Sequence, residues 1–182
     1  LANTTGATNT AVGDNASRLN ETGVDNTAVG RSALYSNQTD RNTGIGLEAG
    51  YYTTGADNTY VGYAAGKGGS GAEADNVGIG TEALTSITTG TRNIAIGYDA
   101  AKALTSANRN LAIGYEALRT EDADGDRTTA IGYQALYSQN GGTEAMGNTA
   151  VGYLSGYYNV TGIKNTYLGY GTATGASGQS NS

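Results

Sequence analysis

Apolar and very small residues alternate along this chain in short bursts, and the bursts return at nearly constant spacing. Thr27-Ala28-Val29-Gly30, Ile94-Ala95-Ile96-Gly97 and Leu111-Ala112-Ile113-Gly114 are examples. Period-two alternation is the signature of a β-strand, because successive side chains leave the pleat on opposite faces. Each burst therefore predicts one short strand, with a β-branched face and a face of alanine and glycine. The surrounding unit reads Asn-Thr-Ala-Val-Gly-x-x-Ala, and its first copy runs from Asn9 to Ala16.

Ten copies follow one another. Position one is Asn9, Asn26, Asn42, Asn58, Asn76, Asn93, Asn110, Asn148 and Asn165, while Thr128 opens the eighth copy. Position five is Gly13, Gly30, Gly46, Gly62, Gly80, Gly97, Gly114, Gly132, Gly152 and Gly169, spaced by 17, 16, 16, 18, 17, 17, 18, 20 and 17 residues. Self-similarity at this period marks a solenoid, in which each rung buries its surface against its neighbours. Gly6, Gly23, Gly55, Gly90, Gly125 and Gly162 stand three residues before position one and predict turns with positive φ. The stretch after position eight, such as Leu84-Thr85-Ser86-Ile87-Thr88, reads as a second strand. Each rung is then strand, turn, strand, turn.

Parallel rungs about 4.8 Å apart give a rod of about 50 Å. The position-one asparagines are expected to stack into an amide ladder, interrupted at Thr128. The Ala/Gly face calls for something packed against it, most simply the same face of other copies. Tyr60 and Tyr167 break that small face. Residues 1–8 read as a lead-in continuing a longer chain, 9–175 as the repeat roll, and 176–182 as a Gly/Ser-rich tail.

Composition removes most other classes. The 182 residues include 30 glycines and 14 tyrosines but no proline, tryptophan, phenylalanine or cysteine. Glycine without proline or a Gly-X-Y period excludes collagen. A formal charge of −6 leaves no basic footprint for nucleic acid or an anionic membrane. No apolar run approaches the roughly 20 residues of a membrane-spanning helix, and the lack of cysteine rules out disulfides and thiolate chemistry.

The copies resemble the YadA-like head repeats of trimeric autotransporter adhesins, with Asn93-Ile94-Ala95-Ile96-Gly97-Tyr98-Asp99-Ala100 a close fit. Thr129-Ala130-Ile131-Gly132-Tyr133-Gln134-Ala135-Leu136-Tyr137-Ser138 is similar to the variant in phage and virus tail-fibre proteins. The resemblance spans about residues 5 to 175. It implies an all-β, left-handed parallel β-roll of about ten rungs, assembled as a homotrimeric rod at a virion surface or outside the cell. Rungs here are longer and less uniform than the adhesin pattern.

Candidate chemistry is sparse. Without histidine, neither a Ser-His-Asp triad nor a histidine metal site can be built. Glu48, Glu82, Asp99 and Glu116 fall at position seven of successive rungs and read as a solvated stripe rather than a glycosidase pair. Asp122, Asp124 and Asp126 alternate like a calcium loop, but Arg127 stands where that loop requires glycine and Tyr133 where it requires glutamate. The whole Glu121–Asp126 segment reads as a solvated turn. Tyr63, Tyr98, Tyr115, Tyr133, Tyr153 and Tyr170 share position six and predict a ridge of stacked rings, a candidate surface for sugars or proteins.

A threonine array for ice is set aside, because Val77, Ile94 and Leu111 at position two imply burial. Longer loops at Lys67–Gly71, the acidic turn and Gln139–Thr143 are where specificity is expected. Asn3, Asn15, Asn20, Asn37 and Asn159 open glycosylation sequons. The expected role is a non-enzymatic, cofactor-free spacer in a phage or virus tail fibre, partnered with itself and with a host glycan or protein. The head of a bacterial trimeric adhesin is the alternative, and a carbohydrate-active enzyme the reading from another class.

Overall fold

The computed structural model describes residues 6–69, 71–122, 125–141 and 146–172; the tail read at 176–182 lies outside them. Among the described residues ten strands of three residues each form, all at positions two to four. They are β1 (Thr10–Val12), β2 (Thr27–Val29), β3 (Thr43–Ile45), β4 (Thr59–Val61), β5 (Val77–Ile79), β6 (Ile94–Ile96), β7 (Leu111–Ile113), β8 (Thr129–Ile131), β9 (Thr149–Val151) and β10 (Thr166–Leu168). They make one parallel sheet in chain order. Equivalent residues sit side by side, as in Ile94 with Leu111 and Ala95 with Ala112. The chain is a parallel β-solenoid whose rungs recur about every 17 residues.

The second limb of each rung differs from the expectation. Leu84 to Thr88 is a run of turns and bends, not a strand. Positions seven and nine adopt positive φ in rung after rung: Ser32 (57°) and Leu34 (46°), Glu82 (56°) and Leu84 (54°), Gln134 (51°) and Leu136 (50°). A left-handed residue at every second place is incompatible with a pleated strand. The limb is still laddered through its backbone. The Glu82 N–H donates to Tyr63 O at 2.8 Å and the Leu84 N–H to Ala100 O at 3.1 Å, one rung back and one forward.

The two faces of the strand are also reversed. Position three points into the roll, where Ala28, Ala95, Ala112, Ala130 and Ala150 are wholly buried. Positions two and four point out, leaving Val12 58%, Ile94 40% and Ile79 37% exposed. The limbs lie too close for branched side chains between them. A Cβ built on Gly44 would lie 2.8 Å from Leu34 Cγ and 2.9 Å from Ala49 O. Alanine at positions three and eight, with leucine at nine, fills that narrow interior.

The turn glycines have a different cause from the one predicted. Gly23, Gly55 and Gly90 are not among the positive-φ residues. A Cβ there would meet the next rung's carbonyl oxygen, Thr39 O at 2.4 Å from Gly23 and Ala107 O at 2.5 Å from Gly90. Close stacking, not turn sign, demands glycine. Tyr60 also finds its account: its ring is fully buried inside the roll. It occupies space vacated at position nine by Gly66, whose Cβ would come within 2.1 Å of the ring, and by Gly50. Tyr167 packs against Gly156 in the same way.

Candidate binding surfaces

The asparagine ladder forms as the spacing predicts. Each position-one Oδ1 accepts the backbone N–H of the next position-one residue at 2.8–3.0 Å, from Asn9 to Asn26 onward to Asn110 and Thr128. The Nδ2 groups of Asn9, Asn26, Asn42, Asn58, Asn76, Asn93 and Asn148 donate to a turn carbonyl one rung ahead, as Asn76 does to Gly90 O at 2.8 Å and Asn93 to Ala107 O at 2.8 Å. Asn110 Nδ2 donates instead to Asn93 Oδ1 at 3.2 Å. At the Thr128 break a buried Gln139 takes over. Its Nε2 donates to Thr128 Oγ1 at 2.9 Å and to Glu121 Oε2 at 3.0 Å, and its Oε1 accepts from Asn148 Nδ2 at 2.8 Å. The ladder resumes from Asn148 to Asn165. These asparagines are committed to the backbone.

Position twelve, eleven residues after the motif Asn, escaped the sequence reading. It is occupied by Asn20, Asn37, Thr53, Ile87, Leu104, Glu121, Gln139 and Asn159, all buried. Asn20 and Asn159 close their own turns, each donating to and accepting from the glycine three residues on. With Asn37 also buried, three of the sequons are structural; Asn3 lies outside the described residues.

Glu121, expected in a solvated turn, points inward instead, and burial raises its carboxyl above the ordinary value. Glu73 is buried as well, and desolvation lifts it to about 8, so it is neutral at pH 7. The Thr54 N–H donates to its Oε1 at 3.3 Å, and burial likewise raises the Tyr60 hydroxyl well above its ordinary value.

Asp126 accepts the Asn108 N–H at 2.6 Å, and the Asp122 carbonyl accepts from Thr105. Asp124 lies outside the described residues. Among the described residues no group of three or more potential ligands is placed to hold a metal.

The tyrosine ridge forms over half the rod. Tyr98, Tyr115, Tyr133, Tyr153 and Tyr170 stack with centroids 4.9–5.2 Å apart and planes within 13°. Tyr63 is left out, because Thr81 occupies position six between it and Tyr98. The rings cover one another's faces and present edges to solvent.

The position-seven acids are not a free solvated stripe. They sit beneath a column at position ten that reads Arg18, Tyr35, Tyr51, Lys67, Thr85, Lys102, Arg119, Tyr137 and Tyr157. Lys67 pairs with Glu48 at 2.9 Å, and Lys102 bridges Glu82 and Asp99. Arg119 reaches Asp99 at 3.2 Å and Glu116 at 3.4 Å. Asp99 is thereby buried. Rings fill the rest of the column: Tyr35 on Tyr51 at 4.7 Å and Tyr137 on Tyr157 at 5.0 Å, with Arg18, Lys67 and Arg119 5.7–6.0 Å from ring centroids. Counting ten from each motif Asn would have revealed this column.

The outer strand face is a continuous apolar feature. Threonine, valine, isoleucine and leucine at positions two and four form two parallel columns over ten strands, and most are half-buried or exposed. Burial at position two, the premise for setting ice binding aside, does not hold. No helix among the described residues is long and apolar enough to cross a membrane. No family model matches the chain, and neither a curated protein nor a solved structure is significantly similar to it.

Proposed function

We propose that this chain is a rigid segment of a trimeric fibre at a virion surface or outside the cell, serving as spacer and attachment rod in a phage or virus tail fibre. The observation carrying the proposal is the outer strand face. All-parallel sheets are ordinarily covered on both sides, yet here one side carries a continuous column of Val12, Val29, Ile45, Val61, Ile79, Ile96, Ile113, Ile131, Val151 and Leu168, each exposed or half-buried and none fully covered. A patch of that extent marks an interface. The cover is the same face of two further copies, in the left-handed homotrimeric roll implied by the YadA-like repeat. The interface is therefore β-branched, rather than the Ala/Gly surface expected from spacing alone.

The head of a bacterial trimeric adhesin remains the second reading, favoured by the Asn93–Ala100 copy. Catalysis is not part of the proposal, since the position-seven acids are tied to Lys67, Lys102 and Arg119. The absence of cysteine makes a clean test available. Oxidation of an Ile96→Cys chain is expected to give covalently linked copies on denaturing gels, while Ser86→Cys, on the opposite limb, stays monomeric. Equal cross-linking of the two, or none at Ile96→Cys, contradicts the interface.

A further inference from the structure

Through rungs five to seven the corner between positions seven and ten is closed by ion pairs: Glu82 and Asp99 with Lys102, Asp99 and Glu116 with Arg119. In the next two rungs the same register positions change character. Position seven becomes Gln134 and then Leu154, and position ten becomes Tyr137 and then Tyr157. The long cations that bridge the corner are gone, and a cleft of about 230 Å³ opens, lined by Gln134, Leu154, Tyr157 and Tyr158.

Its walls are two tyrosines set edge to face, with centroids 4.8 Å apart and planes 77° apart. Tyr158 is 53% exposed. On the other side the Gln134 amide is held by one hydrogen bond, Nε2 to Glu116 Oε2 at 2.6 Å. Its Oε1 and second amide hydrogen have no partner among the described residues. A ring face for C–H groups beside a fixed amide offering both donor and acceptor is the chemistry of sugar recognition. The volume lies below the roughly 300–1,000 Å³ of pockets that take drug-sized ligands, which suits a single ring.

We infer that this cleft binds one uncharged hexopyranose unit of a surface polysaccharide. Charge decides against an acidic sugar: no cation lines the cleft, Arg119 of the preceding rung is committed to Asp99, Glu116 and the Tyr137 ring, and Glu116 borders the amide. The position-ten limb lies opposite the strand face, so the cleft stays open when that face is covered. The site names the ligand class for the attachment role proposed above, and rests on that reading for its setting.

The rod supplies its own control. Tyr51 and Tyr52 form a matching edge-to-face pair at 4.5 Å, but there Lys67 and Glu48 close the corner. Saturation-transfer NMR is run with glucose, galactose, mannose and N-acetylglucosamine, and with glucuronic acid as the charged comparison. At least one neutral sugar is expected to receive transfer at its ring protons. Tyr158→Ala weakens its binding about ten-fold or more, an effect of the size of one lost aromatic contact plus its buried area. Tyr52→Ala leaves it unchanged, and both variants keep the parent melting temperature. Transfer to none of the four, undiminished binding in Tyr158→Ala, or preference for glucuronic acid overturns the inference. The sedimentation mass of the same sample separates the two proposals: a sugar-binding monomer sinks the trimer and spares the cleft.

Discussion

Tyr60 and Gly66 show how narrow the volume accounting is inside one rung. Positions three and nine share a single space: Gly44 faces Leu34, Gly78 faces Leu84, and Tyr60 faces Gly66. Tyr60→Ala empties that space and is expected to cost about 3–5 kcal/mol, the usual range for removing a buried aromatic ring. Adding Gly66→Leu should recover much of the loss, because Leu34 and Leu84 hold the same left-handed position without difficulty. Chemical denaturation of the two variants measures it; additive destabilisation would refute the shared space.

Glu73 supplies a second test at this scale. Its folded value of about 8 lies above the ordinary 4.5, so between these values the folded chain holds a proton that the unfolded chain has released. Stability is full below about pH 4.5 and is lost as pH rises through about 8. Thermal melts from pH 5 to 9 should show this fall, flattened in Glu73→Gln. The sequence did not announce Glu73, because only its neighbours in the fold make it buried. Tyr60 was visible as an exception to the small face, but the glycines that accommodate it lie in a column six residues further along each rung.

The strands were legible because their signal is local. Alternation and the position-five glycine placed all ten, in register, from spacing alone. Which face turns inward was not local. It depends on the separation of two limbs, and the second limb was misread because propensity does not foretell left-handed Leu34, Leu84 or Leu136. Position five carries both constraints at once. Gly97 has φ of 138°, and a Cβ would lie 2.3 Å from Gly114 O. Gly97→Ala is therefore expected to cost more than the roughly 1–3 kcal/mol of backbone strain alone. Hydrogen exchange should place the damage at β6 and β7, and uniform or undetectable loss of protection would argue against rung-local stacking.

Over the whole molecule, repetition turns small contacts into continuous columns. The amide ladder runs through the roll, the charge and ring column along one limb, and the β-branched face along the other. Among the described residues, the last of these columns is left partly open to solvent. The ladder was readable from the sequence in outline, down to the irregularity at Thr128, although Gln139 bridges the break. The position-ten column and its cleft were not, since they emerge only when non-motif residues are counted in register.

The sedimentation mass of the intact chain bears most directly on this account. Three chains of 18.4 kDa give about 55 kDa, and the account predicts an elongated particle of that mass at micromolar concentration, dissociating when Ile79, Ile96 and Ile113 are replaced by aspartate. A stable 18.4 kDa monomer, with the Val/Ile face open to water, would contradict it.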